Sequence, residues 1–296
     1  MPLTLDGTNG EVFPSWATAG RPASPTAGQT GYNTTTKQIE TYNGTSWVIG
    51  TSATTQGTSG QYLQSAGAGA APTWATLSAT GALIRAPQIL TTGTSYTTPS
   101  NCTSIYVEAV GGGAAGCGTT NTSVGAGGGA GAYCAKYFNA ASGILPLTAY
   151  TYAIGSGGAA GTASTGPSGG NTTFTVGATT ITAGGGVGGG RTASGTVPDF
   201  RIGGVGGTAT NGDINVPGGC GQQATFGSSS VGAAADFSGS GGSSIFGGAG
   251  AGVAGSSGAG SAGSFGGGGG GGNSATAVSS NGGAGGNGVI RIWEFT

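Results

Sequence analysis

Two stretches of the chain alternate with the two-residue period of a half-buried strand. Thr103–Val110 places Ile105, Val107 and Ala109 on one face and Tyr106, Glu108 and Val110 on the other. Gly288 leads into VIRIWEF (289–295), equally rich in β-formers. Ile84–Leu90, Ser95–Thr98, Ala132–Phe138, Ala149–Ile154 and Asn171–Thr182 also read as strands. Nearer the start, Gln38–Tyr42 alternates, with Ile39 and Thr41 facing one way and Glu40 and Tyr42 the other. A polar turn at 33–37 precedes it; Asn43-Gly44 signals a tight turn, and Trp47–Ile49 forms the returning strand. So small a hairpin buries too little to stand alone. Its aromatics, Tyr32, Tyr42 and Trp47, need a partner surface, and identical copies of the chain are the simplest source. Residues 54–77 read as a linker with Tyr62, Leu63 and Trp74 as anchors. No 3.6-residue period outlasts a turn or two, so essentially no α-helix is expected. This predicts a mainly β and irregular protein: an N-terminal region over 1–80 and a glycine-rich domain over 84–296.

Between the β segments the chain is largely glycine. Gly supplies 72 of 296 residues, against a usual ~7 %. Many fall three apart: Gly125/128/131, Gly155/158/161, Gly252/255/258, Gly260/263/266/269/272 and Gly282/285/288. Three is the period of the polyproline II helix, which has no internal hydrogen bonds. The runs are too short and too poor in proline for collagen. Packed side by side, such helices must satisfy their amides from one another, and glycine alone lets backbones come that close. A bundle of polyglycine helices framed by β-strands is expected. A disordered chain would be kept open by charge; here only 5 % of residues are charged.

The same composition removes several functions. With no His, the usual general base and triads are missing, and a zinc site is not expected among Cys102, Cys117, Cys134 and Cys220. Those cysteines are expected to be small buried thiols. No cofactor motif is present: GGGVGGGR (184–191) lacks the Gly-Lys-Ser/Thr ending of a phosphate loop. A net charge of −1 argues against nucleic acid. The opening MPLTLDGTNG has neither a basic nor an apolar leader segment, so no signal peptide is expected. A glycosidase would need two carboxylates held ~5–10 Å apart; the fold could bring some together, and Asp199 and Asp213 sit in the same loop-rich region, but no enzymatic activity is expected. Glu108 and Arg291 could pair across the bracketing strands, with Glu294 on the opposite face.

RPASPTAGQTGYNTTTKQIETYNGTSW (21–47) and GTSGQYLQSAGAGAAPTW (57–74) resemble segments of bacteriophage tail-fibre and other virion structural proteins. Residues 87–296, from PQILTTGTSYTTPSNCTSIYVEAVGGG through TYAIGSGG to GGAGGNGVIRIWEF, resemble the glycine-rich domain of phage tail fibres. The resemblance implies a virion component, and the expectation is one located in the phage tail: a tail fibre or receptor-binding tip that attaches to the host surface. Its implied partners are itself as a homotrimer, tail or baseplate proteins through residues 1–80, and a host glycan or outer-membrane protein. A head fibre or decoration protein is the alternative, and a tail-associated glycan hydrolase a more distant one. Large side chains concentrate in residues 191–202, 211–226 and 235–246 and at Ser264-Phe265. From these, Asp199, Phe200, Arg201, Asn211, Asp213, Gln222, Gln223, Phe226, Phe237 and Phe246 are the candidate receptor-binding residues, since flat apolar faces beside polar groups suit sugars and protein loops.

Overall fold

The computed structural model describes residues 4–6, 10–49, 58–67, 72–76, 81–162, 165–190, 199–227, 236–275 and 278–296, without the side chains of 4–6 and 10–12. Among them there is no α-helix, only two single 3-10 turns, and the fold is mainly β and irregular. The chain divides into compact units at 1–79 and 80–296.

The first unit holds three small sheets. Strands β1 (Thr4–Asp6) and β2 (Gly10–Val12) pair with each other. Strands β3 (Ser15–Trp16), β4 (Thr30–Asn33), β5 (Gln38–Tyr42) and β6 (Trp47–Ile49) form a sheet in that order. The expected hairpin is β5–β6, and its aromatics find a partner within the chain: Trp47 packs edge-on against Trp16 at 4.9 Å and against Tyr42 at 5.6 Å. Among the described residues the large apolar side chains left on the open face are Tyr32 (37 % exposed), Ile39 and Val48. Glu40 anchors the covered face, fully buried, taking hydrogen bonds from Arg21 (2.8 Å), Asn33 (3.0 Å) and Trp16. The segment read as a linker contains a hairpin instead. Strands β7 (Gln61–Gln64) and β8 (Thr73–Thr76) pair and set Leu63 opposite Trp74, so the two anchors hold each other.

In the second unit two five-stranded sheets face each other. One runs β19 (Ile214–Val216), β13 (Tyr133–Asn139), β11 (Ser104–Val110), β22 (Val289–Phe295), β9 (Gln88–Leu90). The other runs β10 (Ser95–Thr97), β14 (Ala149–Ala153), β15 (Thr172–Val176), β16 (Thr179–Ala183), β18 (Ala209–Thr210). The bracketing strands β11 and β22 are antiparallel neighbours over seven residue pairs. Ile105, Val107, Cys134, Phe138, Phe174, Ile181, Ile290 and Ile292 fill the core between the sheets. Glu294 also points inward, 1 % exposed, bonded to Arg85 (2.7 Å) and the Tyr96 hydroxyl.

The strands run directly into glycine-rich segments that lie outside the named strands and carry only isolated bridges, at Gly125 and Gly258. Twelve are present among the described residues: 111–118, 125–132, 155–161, 165–170, 184–190, 202–208, 217–223, 238–244, 247–253, 258–264, 267–272 and 281–288. Their amides bond with a period of three, each successive N–H finding a different neighbour. From 111–118, Gly111, Ala114 and Cys117 donate to Ala132, Gly129 and Ala126; Gly112 and Ala115 donate to Gly170 and Pro167; Gly113 and Gly116 donate to Gly286 and Gly283. The same segment accepts bonds from 155–161, 184–190 and 267–272. Segments 125–132 and 267–272 have the same threefold pattern, and the three bond to one another. They form the centre of a hexagonal array, with the other nine segments ringed around them. This is polyglycine II packing, the arrangement the triplet glycines predict.

Position in the array explains composition. The central segments read GGGAAGCG, GAGGGAGA and GGGGGG, with nothing larger than Cys. On the rim only inward positions need be glycine, which creates the triplets. Gly282, Gly285 and Gly288 donate to Gly161, Gly158 and Gly155, so two of the triplet runs face each other. Two runs are not continuous helices. Gly260–Gly272 is broken at Phe265-Gly266, where φ is positive (39° and 80°) and the chain reverses. Gly252/255/258 spans another reversal, with Gly255 at φ 67°.

Candidate binding surfaces

The array has two ends. At one, its segments join the sheets or turn back beside them. At the other lie the described parts of six connections: 119–124, 162, 199–201, 224–227 with 236–237, 254–257, and 273–275 with 278–280. Within the last group, β12 (Ser123–Val124) pairs with β21 (Asn273–Ser274), and Thr119 pairs with Ser280. Strand β17 (Asp199–Arg201) pairs with β20 (Ala224–Phe226), and Thr225 pairs in turn with Phe237, which pairs with Ala254. Directly opposed residues share a sheet face. Phe200, Thr225 and Phe237 therefore form one row, with the two phenylalanines 57 % and 52 % exposed. The opposite face is anchored by buried Phe226, packed with Val124, Ala126 and Ala224. Asp199 and Arg201, 3.4 Å apart, flank Phe200 in the strand and share the opposite face with Phe226 and Ala224, while exposed Gln222 and Gln223 lead into β20.

Seven of the ten sequence candidates thus gather at the loop end. The other three sit at the sheet end. Asp213 accepts from Lys136 (2.7 Å) and the Tyr137 amide (2.9 Å), and these donors hold its carboxyl below the usual range. Asn211, at φ 65°, donates to the Thr180 carbonyl. Phe246 packs edge-on against Tyr133 and lies 4.8 Å beneath the Arg291 guanidinium. Asp199 and Asp213 are separated by the whole 202–208 segment, roughly 20 Å of extended helix, so they make no glycosidase pair. Residues 191–198 of the first candidate loop lie outside the described residues, as does Ala235.

The sequence reading found the Glu108–Arg291 pair but not what surrounds it. Glu108 is 6 % exposed and accepts from Arg291 (2.6 and 2.8 Å), Trp293 Nε1 (2.8 Å) and the Tyr133 hydroxyl (2.9 Å). Burial pushes its carboxyl upward, but these donors outweigh burial and the group titrates below its ordinary value. The signal was present in the alternation itself, which puts Tyr106 and Glu108, Arg291 and Trp293 on the outer face together.

Three of the four cysteines are buried thiols; Cys220 is exposed, contrary to expectation, because it occupies an outward position on a rim helix. Among the described residues no cluster of His, Cys, Asp or Glu could hold a metal, and no helix is long and apolar enough to cross a membrane.

A close-packed polyglycine array capped by a two-sheet sandwich places the chain among glycine-rich structural domains. A model of the glycine-rich domain family matches residues 90–293, and the chain belongs to that family. Comparison with curated proteins gave no match.

Proposed function

We propose that the protein is a bacteriophage virion component, a tail fibre or receptor-binding tip, whose loop end contacts a host surface glycan or outer-membrane protein. The observation that carries this is the aromatic row of Phe200 and Phe237, held exposed at the end of a stiff array. Every segment of that array is cross-bonded to its neighbours, so the loops start from fixed ends and binding need not order the scaffold. Exposed aromatic faces close to the exposed amides of Gln222 and Gln223 suit a polyhydroxylated or mixed ligand. In this reading residues 1–79 attach to the tail or baseplate. The exposed Tyr32, Ile39 and Val48 face supplies a surface on which three copies would associate.

Two experiments test the reading. Immunogold labelling of virions should mark the tail; label on the head would overturn it in favour of a decoration protein. Purified protein should compete with virions for host cells, and Phe200→Ser with Phe237→Ser should remove that competition while leaving the melting temperature unchanged. Undiminished competition by the double variant would overturn the assignment of the loop end.

A further inference from the structure

Outside the loop end, the structure holds a second surface suited to a ligand. On the outer face of the first sheet, cross-strand pairing aligns Tyr137, Tyr106 and Trp293 in one row. Neighbouring strands are ~4.8 Å apart, so the row is about 10 Å long, the span of a short saccharide. The row floors an open cavity of about 570 Å³ walled by Phe295, Glu108 and Arg291. Tyr137 is 47 % exposed, and the Arg291 side chain 33 %.

The hydrogen bonding of the walls sets the ligand's chemistry. Both oxygens of Glu108 are occupied, each by two donors from Arg291, Trp293 and Tyr133. It has no lone pair left for sugar hydroxyls and serves to orient its neighbours. Trp293 has spent its only N–H on Glu108, so it offers a bare ring face. Arg291 is clamped between Phe246 (4.8 Å) and Trp293 (5.3 Å) and uses Nε and Nη2 on Glu108. Among the described residues its Nη1 group has no acceptor. The cavity therefore offers aromatic faces, the Arg291 Nη1 donor and the hydroxyls of Tyr106, Tyr137 and Ser104, and its one lining carboxylate is already spent.

We propose that this cavity binds an acidic saccharide, with a sugar ring stacked on the Tyr137–Trp293 row and its carboxylate on Arg291 Nη1. The proposal is independent of the tail-fibre reading and of the loop-end row.

The test titrates the full chain with digalacturonate and with sialyllactose, and with the methyl ester of digalacturonate as the neutral control, by calorimetry and tryptophan fluorescence. At least one acidic probe should bind with a Kd of about 1 mM or tighter, the ester at least about tenfold more weakly. Tyr137→Ala and Trp293→Phe should each weaken binding about tenfold, while Phe200→Ala with Phe237→Ala leaves it unchanged. Failure of both acidic probes to bind at roughly 10 mM, equal binding of the ester, or binding that survives Tyr137→Ala would overturn the proposal. Loss of binding in the loop-end variant would also overturn it and would favour the loop end as the glycan site. Dissociation of an oligomer by Tyr137→Ala, seen by sedimentation, would instead make this face a contact between copies.

Discussion

One added methyl group at Gly268 tests the glycine array directly. A Cβ there would lie 2.0 Å from the Gly128 carbonyl oxygen and 2.7 Å from its carbon. Carbon and carbonyl oxygen touch at ~3.3 Å, so segments 267–272 and 125–132 would have to separate by about 1.3 Å. Both are central, and each is bonded on its other sides, so neither can retreat freely. Parting them breaks the bonds from Gly125 to Gly272 and from Gly128 to Gly269. Each loss leaves buried amide groups unpaired at ~1–3 kcal/mol; two such losses give Gly268→Ala a cost of about 2–6 kcal/mol. Gly248 is the control: it lies on a rim segment, and an added Cβ meets nothing within 4 Å. There Ala restricts the unfolded chain and should be neutral or stabilising by up to ~1 kcal/mol. Denaturant unfolding of the two variants, with amide exchange read over 267–272, measures the difference. Equal stability of the two, within about 0.5 kcal/mol, would refute the close-packed array.

Arg85→Met should destabilise more than Glu294→Gln, since the first strands a carboxylate that is 1 % exposed while the second leaves only a half-exposed guanidinium unpaired; the expected cost of Arg85→Met is ~3 kcal/mol or more by chemical denaturation. In the first unit, Arg21 chiefly, with Trp16 and Asn33, lowers the Glu40 carboxyl from 4.5 to about 2. A depressed carboxylate stabilises the fold above its unfolded value and loses that contribution as the pH falls through its folded value. Fluorescence of Trp16 and Trp47 should therefore report loosening between pH ~4.5 and ~2, and Glu40→Gln should abolish that transition. A thiol reagent applied to the native protein should label Cys220 and spare Cys102 and Cys134, whose thiols burial pushes above their ordinary range; fast labelling of Cys102 would contradict the packed sandwich.

The sequence by itself determined every feature that depends on a local period. Alternation in 103–110 and 289–295 set which residues of β11 and β22 face the core, and so placed Glu108 with Arg291 and Glu294 on the other side. Triplet glycines marked the rim segments 155–161 and 281–288, because a helix of three residues per turn shows one face to each neighbour, and they also marked the central segment 125–132. Asn43-Gly44 fixed the β5–β6 turn, since few residues accept its backbone. That the segments at the centre are central was not legible, because a helix enclosed on all sides needs small residues at every position, and a triplet such as Gly125/128/131 then marks no particular face. Which triplet runs continue and which reverse, as at Phe265-Gly266, depends on where the neighbouring segments end. Tertiary structure alone divided the candidate residues between two ends: Phe226 went to a small core, Phe246 went under Arg291, and Phe200 and Phe237 were brought into one row from positions 37 residues apart. No local pattern encodes such a row, because it is made by pairing between loops whose separation is set by the array beneath them.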